Sequence, residues 1–233
     1  MDPEAIILCG GAAKRLKPYL PFNKTIAEIS PGKTLLEYQI RWLKKNGIHR
    51  IILAMDEETL STLHKKGSTI TNRITFSVEK EKLGTGGAVR QALKHVESPH
   101  FYLMNVDDIL ISDKYTPQDL LNTHRDNPQA AGTILLARTT FPFGIVETSS
   151  NIVKNFRQKP RLDLKVCAGH YTFTKKVAEQ YFPERGEFEN TALPRIAQDM
   201  PLYSHEFEGE WITINNLKQL EEARQRLSEL GKN

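Results

Sequence analysis

Four apolar runs, separated by amphipathic stretches, constrain this chain more than any other feature. They lie at residues 5–8 (AIIL), 50–55 (RIILAM), 74–78 (ITFSV) and 101–106 (FYLMNV). Continuous apolar runs this short suit strands covered on both faces, as in a parallel sheet. The stretches between them have readable helix ends. Thr34 and Glu37 form a capping box, Leu35, Leu36, Ile40 and Leu43 make one apolar stripe, and Asn46-Gly47 supply a left-handed stop. Asp56 heads a helix running to about Lys66 and ended by Gly67, and Thr116-Pro117 reads as an N-cap followed by proline at the first helical position. Strand and helix in alternation predict a doubly wound α/β sheet with helices on both faces and right-handed crossovers.

The pattern changes after about Ala130. Residues 132–137, 143–148, 151–158 and 165–173 read as strands, with a TSSN turn between the second and third. Helices follow at about 175–181, 191–200 and 217–230. Without a repeat or a Gly/Ser linker, residues 1–233 read as one domain, an α/β part over 1–130 and a β-rich part over 131–233. No apolar run approaches the ~20 residues that span a bilayer, and the start has no basic n-region. A cytoplasmic protein is expected, without membrane partners. Net charge is +4, with basic and acidic residues interspersed, which does not read as a nucleic-acid footprint. Cys9 and Cys167 fall in strand-like segments and read as buried, inert thiols.

Three segments carry candidate chemistry. In AIILCGGAAKRLKPYLPFNKT (5–25), Gly10 and Gly11 follow a strand at the edge where open α/β sheets bind ligands. Arg15 can grip a phosphate as a fork and Lys24 can neutralise one as a point charge. Neither Walker A nor dinucleotide-fingerprint spacing is present, and a strand followed by an exposed basic turn is an equal reading of this stretch alone. In KLGTGGAVRQAL (82–93), Gly84, Gly86 and Gly87 precede a helix and cannot serve as core, so they read as a loop that turns tightly or lies under a flat ring, with a flexible connector as the plainer alternative. In FYLMNVDDIL (101–110), Asp107 and Asp108 end a strand, where one of them can hold Mg²⁺ against phosphate or cap the next segment. Adjacent residues point to opposite sides, so at most one faces the site.

Together these residues resemble the sugar-1-phosphate nucleotidyltransferase family, in order: Gly10-Gly11, Arg15-Leu16, Pro18, Lys24, Leu83–Ala88 and Asn105-x-Asp107. FGIVE (143–147), FRQKP (156–160), AGHYTF (168–173), LPRIA (193–197) and FEGEWITI (207–214) extend the resemblance over nearly the whole chain. It leaves no room for an appended β-helix domain. The resemblance implies a Rossmann-like mixed sheet, the nucleotide-diphospho-sugar transferase fold. It also implies that a sugar-1-phosphate oxygen attacks the α-phosphorus of a nucleoside triphosphate and releases pyrophosphate. Leu8, Gly10 and Gly11 would lie along the nucleotide, with Arg15 on its β- and γ-phosphates. Lys24 would bridge the α-phosphate and the attacking phosphate. Leu83, Gly84, Thr85, Gly86 and Gly87 would hold the base, and Asp107 would hold Mg²⁺. Gly144, Gln158, Lys159 and Gly169 match positions lining the sugar-phosphate pocket. Members often form dimers or tetramers, so a homo-oligomer is open.

Departures from the family pattern are localised. Ala13 replaces a glycine, Val106 replaces the glycine before Asp107, and Gln158 replaces a glutamate. Asn23-Lys24-Thr25 replaces P-K-P, which predicts a less rigid lysine. Thr213 stands where the family usually has a second metal-binding aspartate. These changes leave a second expectation beside catalysis: a catalytically weak homologue that binds nucleotide or nucleotide sugar in a regulatory role.

Overall fold

The computed structural model of the chain describes residues 2–10, 16, 19–20, 22–65 and 74–230. Its first half contains β1 Glu4–Leu8, β2 Glu28–Ser30, β3 Lys33–Thr34, α1 Leu35–Lys45, β4 Arg50–Asp56, α2 Glu57–Lys65 and β5 Ile74–Glu79. Next come α3 Gly84–Ala92, β6 His100–Asn105, β7 Asp108–Ile111, α4 Pro117–Arg125 and β8 Gly132–Thr140. The remainder is β9 Ile145–Ser149, β10 Ile152–Arg157, β11 Arg161–Thr174, α5 Lys175–Tyr181, α6 Phe188–Asp199, β12 Leu202–Glu206, β13 Glu210–Thr213 and α7 Leu217–Leu230.

Seven strands form one mixed sheet in the order β12-β8-β11-β6-β1-β4-β5. β1 pairs in parallel with β4 and β6, and β4 with β5, as the continuous apolar runs require. β11 is antiparallel to both β6 and β8, which makes the sheet mixed. Alternate residues of the central strands enter two separate cores. Ala5, Ile7, Ile51 and Leu53 pack with α1, α4 and α7 side chains on one face. Ile6, Leu8, Ile52 and Ala54 pack with α3, α5 and α6 side chains on the other. The doubly wound α/β expectation therefore holds.

Local ends follow their chemistry. Thr34 N donates to Glu37 Oε2 (2.8 Å) and Glu37 N to Thr34 Oγ1 (3.2 Å), completing the capping box of α1. Gly47 closes that helix at φ +81°. Thr59 N donates to Asp56 Oδ1 (2.7 Å) at the start of α2; the expected stop at Gly67 lies outside the described residues. Of the two cysteines, Cys9 is buried as expected, whereas Cys167 is exposed, because the first half of β11 runs past the end of β6 and is uncovered on that side.

The chain winds outward from β1 through β4 to β5 and then returns to the other side of β1 as β6. That reversal opens a crevice at the carboxyl ends of β1 and β6, the place where open α/β sheets take their ligands.

Candidate active site

Leu8 and Asn105 are register partners at the ends of β1 and β6, and Val106 N donates to the Leu8 carbonyl (3.2 Å). The Leu8–Gly10 segment and the Asn105–Asp108 segment are thus laid side by side. Into this edge the chain inserts a 3₁₀ turn, Lys24–Ile26. Asn23 Oδ1 caps it by accepting from Thr25 N (3.0 Å), and Thr25 Oγ1 donates to the Cys9 carbonyl (2.8 Å). Side-chain hydrogen bonds therefore anchor the turn where the Asn23-Lys24-Thr25 triplet lacks the rigidity of P-K-P. Held in this way, the Lys24 ammonium donates to Asp107 Oδ2 in a mostly buried ion pair.

The acidic turn is equally fixed. Gln39 Nε2 donates to the carbonyls of Val106 (3.0 Å) and Asp108 (2.9 Å), and His170 Nε2 donates to the Asp108 carbonyl (3.0 Å). Ile214 N donates to the Asp107 carbonyl (3.0 Å). The two carboxylates have different fates. Asp107 meets Lys24, while Asp108 turns into the protein, where Trp211 Nε1 donates to Oδ1 (3.0 Å) and Asn105 Nδ2 to Oδ2 (3.0 Å). Burial, and then the charge of Asp107, push the Asp108 carboxyl up to about 7.

Gly169, at φ +71°, lies directly against the Asp108 carboxylate, with Asn105 Nδ2 2.8 Å from where a Cβ would stand. Its lack of a side chain is thus used to admit Asp108. Thr213 is the register partner of Asp108 across β7 and β13, and its hydroxyl accepts from Asn215 Nδ2 (3.0 Å).

Among the described residues no three His, Cys, Asp or Glu side chains gather to hold a metal ion. The donor set does not fit an all-protein cage. It does fit Mg²⁺, which keeps several waters and shares one carboxylate with substrate phosphates. Asp107, in the turn between β6 and β7 and beside the Lys24 ammonium, could supply such a carboxylate.

The glycine-rich segment differs from its expected form. Gly84, Gly86 and Gly87 are the first turn of α3 rather than a loop before it. Gly86 N donates to the Gly186 carbonyl (2.9 Å), and Gly186 N to the Leu83 carbonyl (2.7 Å). A Cβ on Gly84 would stand 2.6 Å from Gly186 O, and one on Gly86 2.6 Å from Pro183 Cγ. The glycines let helix backbone pack on the 183–186 segment, and Gly86 and Gly87 are core after all. Thr85 extends this contact by hydrogen bonding Glu189. Gly87→Ala should lose about 2–3 kcal/mol of stability through overpacking against backbone, read as a lower urea midpoint at unchanged slope.

Glu79, which the sequence reading passed over, ends β5 beside this turn. Its Oε2 accepts from Leu83 N (2.8 Å), and Oε1 stands 3.1 Å from where a Cβ on Gly10 would be. Burial raises its carboxyl above the usual range. An acid closing a strand just ahead of a glycine cluster was the available signal.

Lys159 stands apart from Lys24. It lines a cleft of about 620 Å³ with Arg138, Trp211, Thr213 and Arg226, so this cleft reaches the flank of the Asp108 strand pair. Lys159 takes φ +44°, and Gln158 Oε1 and the Phe156 ring lie over Gly144. Gly11 and Arg15 lie outside the described residues.

Residues 4–229 match the family model described as nucleotidyl transferase. The mannose-1-phosphate guanyltransferase of Candida albicans is 31% identical over 229 residues, covering 92% of this chain and 62% of that protein. Mannose-1-phosphate guanyltransferase beta-A of Xenopus laevis is 30% identical over 227 residues, with the same coverage of 92% and 62%. The chain thus spans less than two thirds of the length of these relatives. Among solved structures, HddC from Yersinia pseudotuberculosis superposes with a TM-score of 0.75 at 24% identity, over 97% of this chain and 100% of that one. UTP-bound UGPase from Acinetobacter baumannii gives a TM-score of 0.73 at 16% identity, over 97% and 93%. Both likenesses are of fold.

Proposed function

Because the chain belongs to the nucleotidyl transferase family, we propose that it moves a nucleotidyl group from a nucleoside triphosphate to a sugar 1-phosphate. A phosphate oxygen of the sugar attacks the α-phosphorus, the bond to the β-phosphate oxygen breaks, and pyrophosphate leaves. The observation that carries this reading is Lys24, fixed by Asn23 and Thr25 at the ligand edge of the sheet and facing Asp107. No covalent enzyme intermediate is needed, so positioning and charge neutralisation do the catalysis. Lys24 exchanges Asp107 for phosphate oxygens and neutralises charge between the two substrates. Asp107 would hold Mg²⁺, which supplies further charge neutralisation at the triphosphate when bound. Arg15 serves the β- and γ-phosphates, Leu8, Gly10 and Gly11 lie along the nucleotide, and Leu83–Gly87 border the base. Gly144, Gln158 and Lys159 serve the sugar phosphate, with Gly169 acting through Asp108. One domain serves both substrates, 1–130 the nucleotide and 131–233 the sugar phosphate, in the cytoplasm.

The base is guanine and the sugar mannose in this proposal. Two relatives carry those substrates in their names, and Glu79 supplies independent chemistry. A carboxylate is acceptor-only, and guanine alone among the common bases presents two adjacent donors, N1–H and N2–H₂, on one edge. Incubation with GTP, mannose 1-phosphate and Mg²⁺ should release pyrophosphate; silence there and across other triphosphates and sugar phosphates would sink the reading. Glu79→Gln should reduce discrimination for GTP over other triphosphates by about tenfold or more, since one amide donor then faces a donor edge. Parallel kcat/KM measurements on GTP, UTP and CTP test this, and an unchanged ratio removes Glu79 from base selection.

Thr213 supports a second reading, a nucleotide-sugar-binding protein with weak turnover, because a hydroxyl is a poorer Mg²⁺ ligand than a carboxylate. Tight calorimetric binding of GDP-mannose without pyrophosphate release, together with activity gained in Thr213→Asp, would favour it over catalysis.

A further inference from the structure

A buried chain of three rings leads to the acidic turn. The Tyr115 and Tyr102 hydroxyls stand 3.3 Å apart, the Tyr102 hydroxyl is 2.8 Å from His170 Nδ1, and His170 Nε2 is 3.0 Å from the Asp108 carbonyl oxygen. All three side chains are buried. The proton positions follow from the last contact. A carbonyl oxygen can only accept, so Nε2 carries a hydrogen. Burial holds the imidazole down to about 4, so it is neutral at pH 7 and Nδ1 is bare. Tyr102 must therefore donate to Nδ1. Its single proton is then committed, so Tyr115 donates to the Tyr102 oxygen. Every bond points the same way, toward Asp108.

We infer that Tyr102 and His170 are positioning residues for the Asp107 carboxylate: the tyrosine fixes the imidazole tautomer, and the imidazole clamps the turn that carries Asp107. The backbone of that turn is held at three successive carbonyls. Gln39 Nε2 donates to those of Val106 (3.0 Å) and Asp108 (2.9 Å), and Ile214 N donates to that of Asp107 (3.0 Å). The Asp108 oxygen has two lone pairs, one taken by Gln39 and the other by His170. With the opposite tautomer, a bare Nε2 would face this oxygen, two acceptors at hydrogen-bond distance, and the turn would be pushed away. The Trp42 ring meets the imidazole edge-on at 5.8 Å, which limits escape by rotation. Asp107 lies inside the clamped span, and its carboxylate meets Lys24. The inference rests on the reading in which Asp107 holds Mg²⁺ at the triphosphate, and it adds the buried residues that aim that carboxylate.

Tyr102→Phe removes one oxygen and leaves the ring in the core, so it isolates the tautomer lock. In ¹⁵N-histidine NMR at neutral pH, His170 is the signal missing from His170→Gln. In the wild type it should show a protonated Nε2 and a bare Nδ1, and Tyr102→Phe should populate the Nδ1–H form. Calorimetry then compares GTP binding in Mg²⁺ with GTP binding in EDTA. Tyr102→Phe should weaken Mg²⁺–GTP binding by about tenfold, the order seen when a group supporting a metal ligand is lost, and leave metal-free binding unchanged. His170→Gln keeps a donor for the Asp108 carbonyl and an acceptor for Tyr102, so it should lose less than His170→Leu. A purely structural role would lower the urea midpoint without separating the two affinities. An Nδ1–H tautomer in the wild type, or Mg²⁺ and EDTA titrations that move together in Tyr102→Phe, overturns the inference. So does a wild type whose GTP titration does not respond to Mg²⁺. Neither measurement uses turnover, so a wild type that binds Mg²⁺–GTP yet releases no pyrophosphate overturns the transfer reading alone.

Discussion

Replacing Lys24 with methionine should lower kcat/KM for nucleotidyl transfer by about a hundred- to a thousandfold, the order seen when a preorganised charge-stabilising donor is removed. Methionine is likewise unbranched, one atom shorter, and lacks both the charge and the N–H donors of the ammonium. The loss should fall mainly on kcat, because charge on the bridging oxygens grows as pyrophosphate departs, and only interactions that strengthen there accelerate the step. The anchoring of the turn does not depend on the ammonium: Asn23 and Thr25 hold it through their own side chains. The methionine variant should accordingly keep its far-ultraviolet dichroism. Lys24→Arg is a sharper probe. A guanidinium retains the charge as a planar fork, and the pocket around Lys24 is built for one point contact to Asp107, so activity should recover only in part. The measurement is continuous pyrophosphate release with GTP and mannose 1-phosphate. A loss below tenfold in the methionine variant would remove Lys24 from the reaction.

How far the sequence disclosed this site depended on whether the determining interaction was local. The Thr34–Glu37 box spans one helical turn, and it could be read directly and is observed. The parallel strands announced themselves because burial on both faces leaves a continuous apolar run. The same local reading failed at Gly84, Gly86 and Gly87, where the reason for glycine is the Gly186 and Pro183 backbone and ring approaching from a hundred residues away. It failed again at Asn23-Lys24-Thr25, because Thr25 is anchored by the Cys9 carbonyl, which no pattern within the triplet reveals. Asp107 and Asp108 were legible as a pair, but their division of labour was not. Which one turns inward is decided by Trp211 and Asn105, contributed by β13 and β6.

Acid should destabilise the fold through two buried histidines, His170 and His124. His170 is fully buried, donates from Nε2 to the Asp108 carbonyl and accepts at Nδ1 from the Tyr102 hydroxyl (2.8 Å). His124 is buried beside His100 and Thr133. Burial holds both down to about 4, with the nearby His100 and Arg125 adding to the effect at His124. In the unfolded chain each takes up a proton near 6.5. Between those values the unfolded state binds more protons, so stability is complete above about pH 6.5 and falls as pH drops toward 4. Each histidine then costs about 3 kcal/mol, and the two together consume a large part of the 5–15 kcal/mol typical of a folded domain. Asp108, Glu79 and Glu189 act in the opposite sense, because burial raises their carboxyls and folding takes up protons there. The histidine contribution is therefore read as a difference. Urea titrations of the wild type and of His124→Gln, at pH 7 and pH 4.5, cancel the carboxylates common to both. The stability gap favouring the wild type should shrink by about 2–3 kcal/mol on acidification, and His170→Gln should behave alike. A gap that stays constant over this range would mean that these imidazoles titrate normally inside the fold.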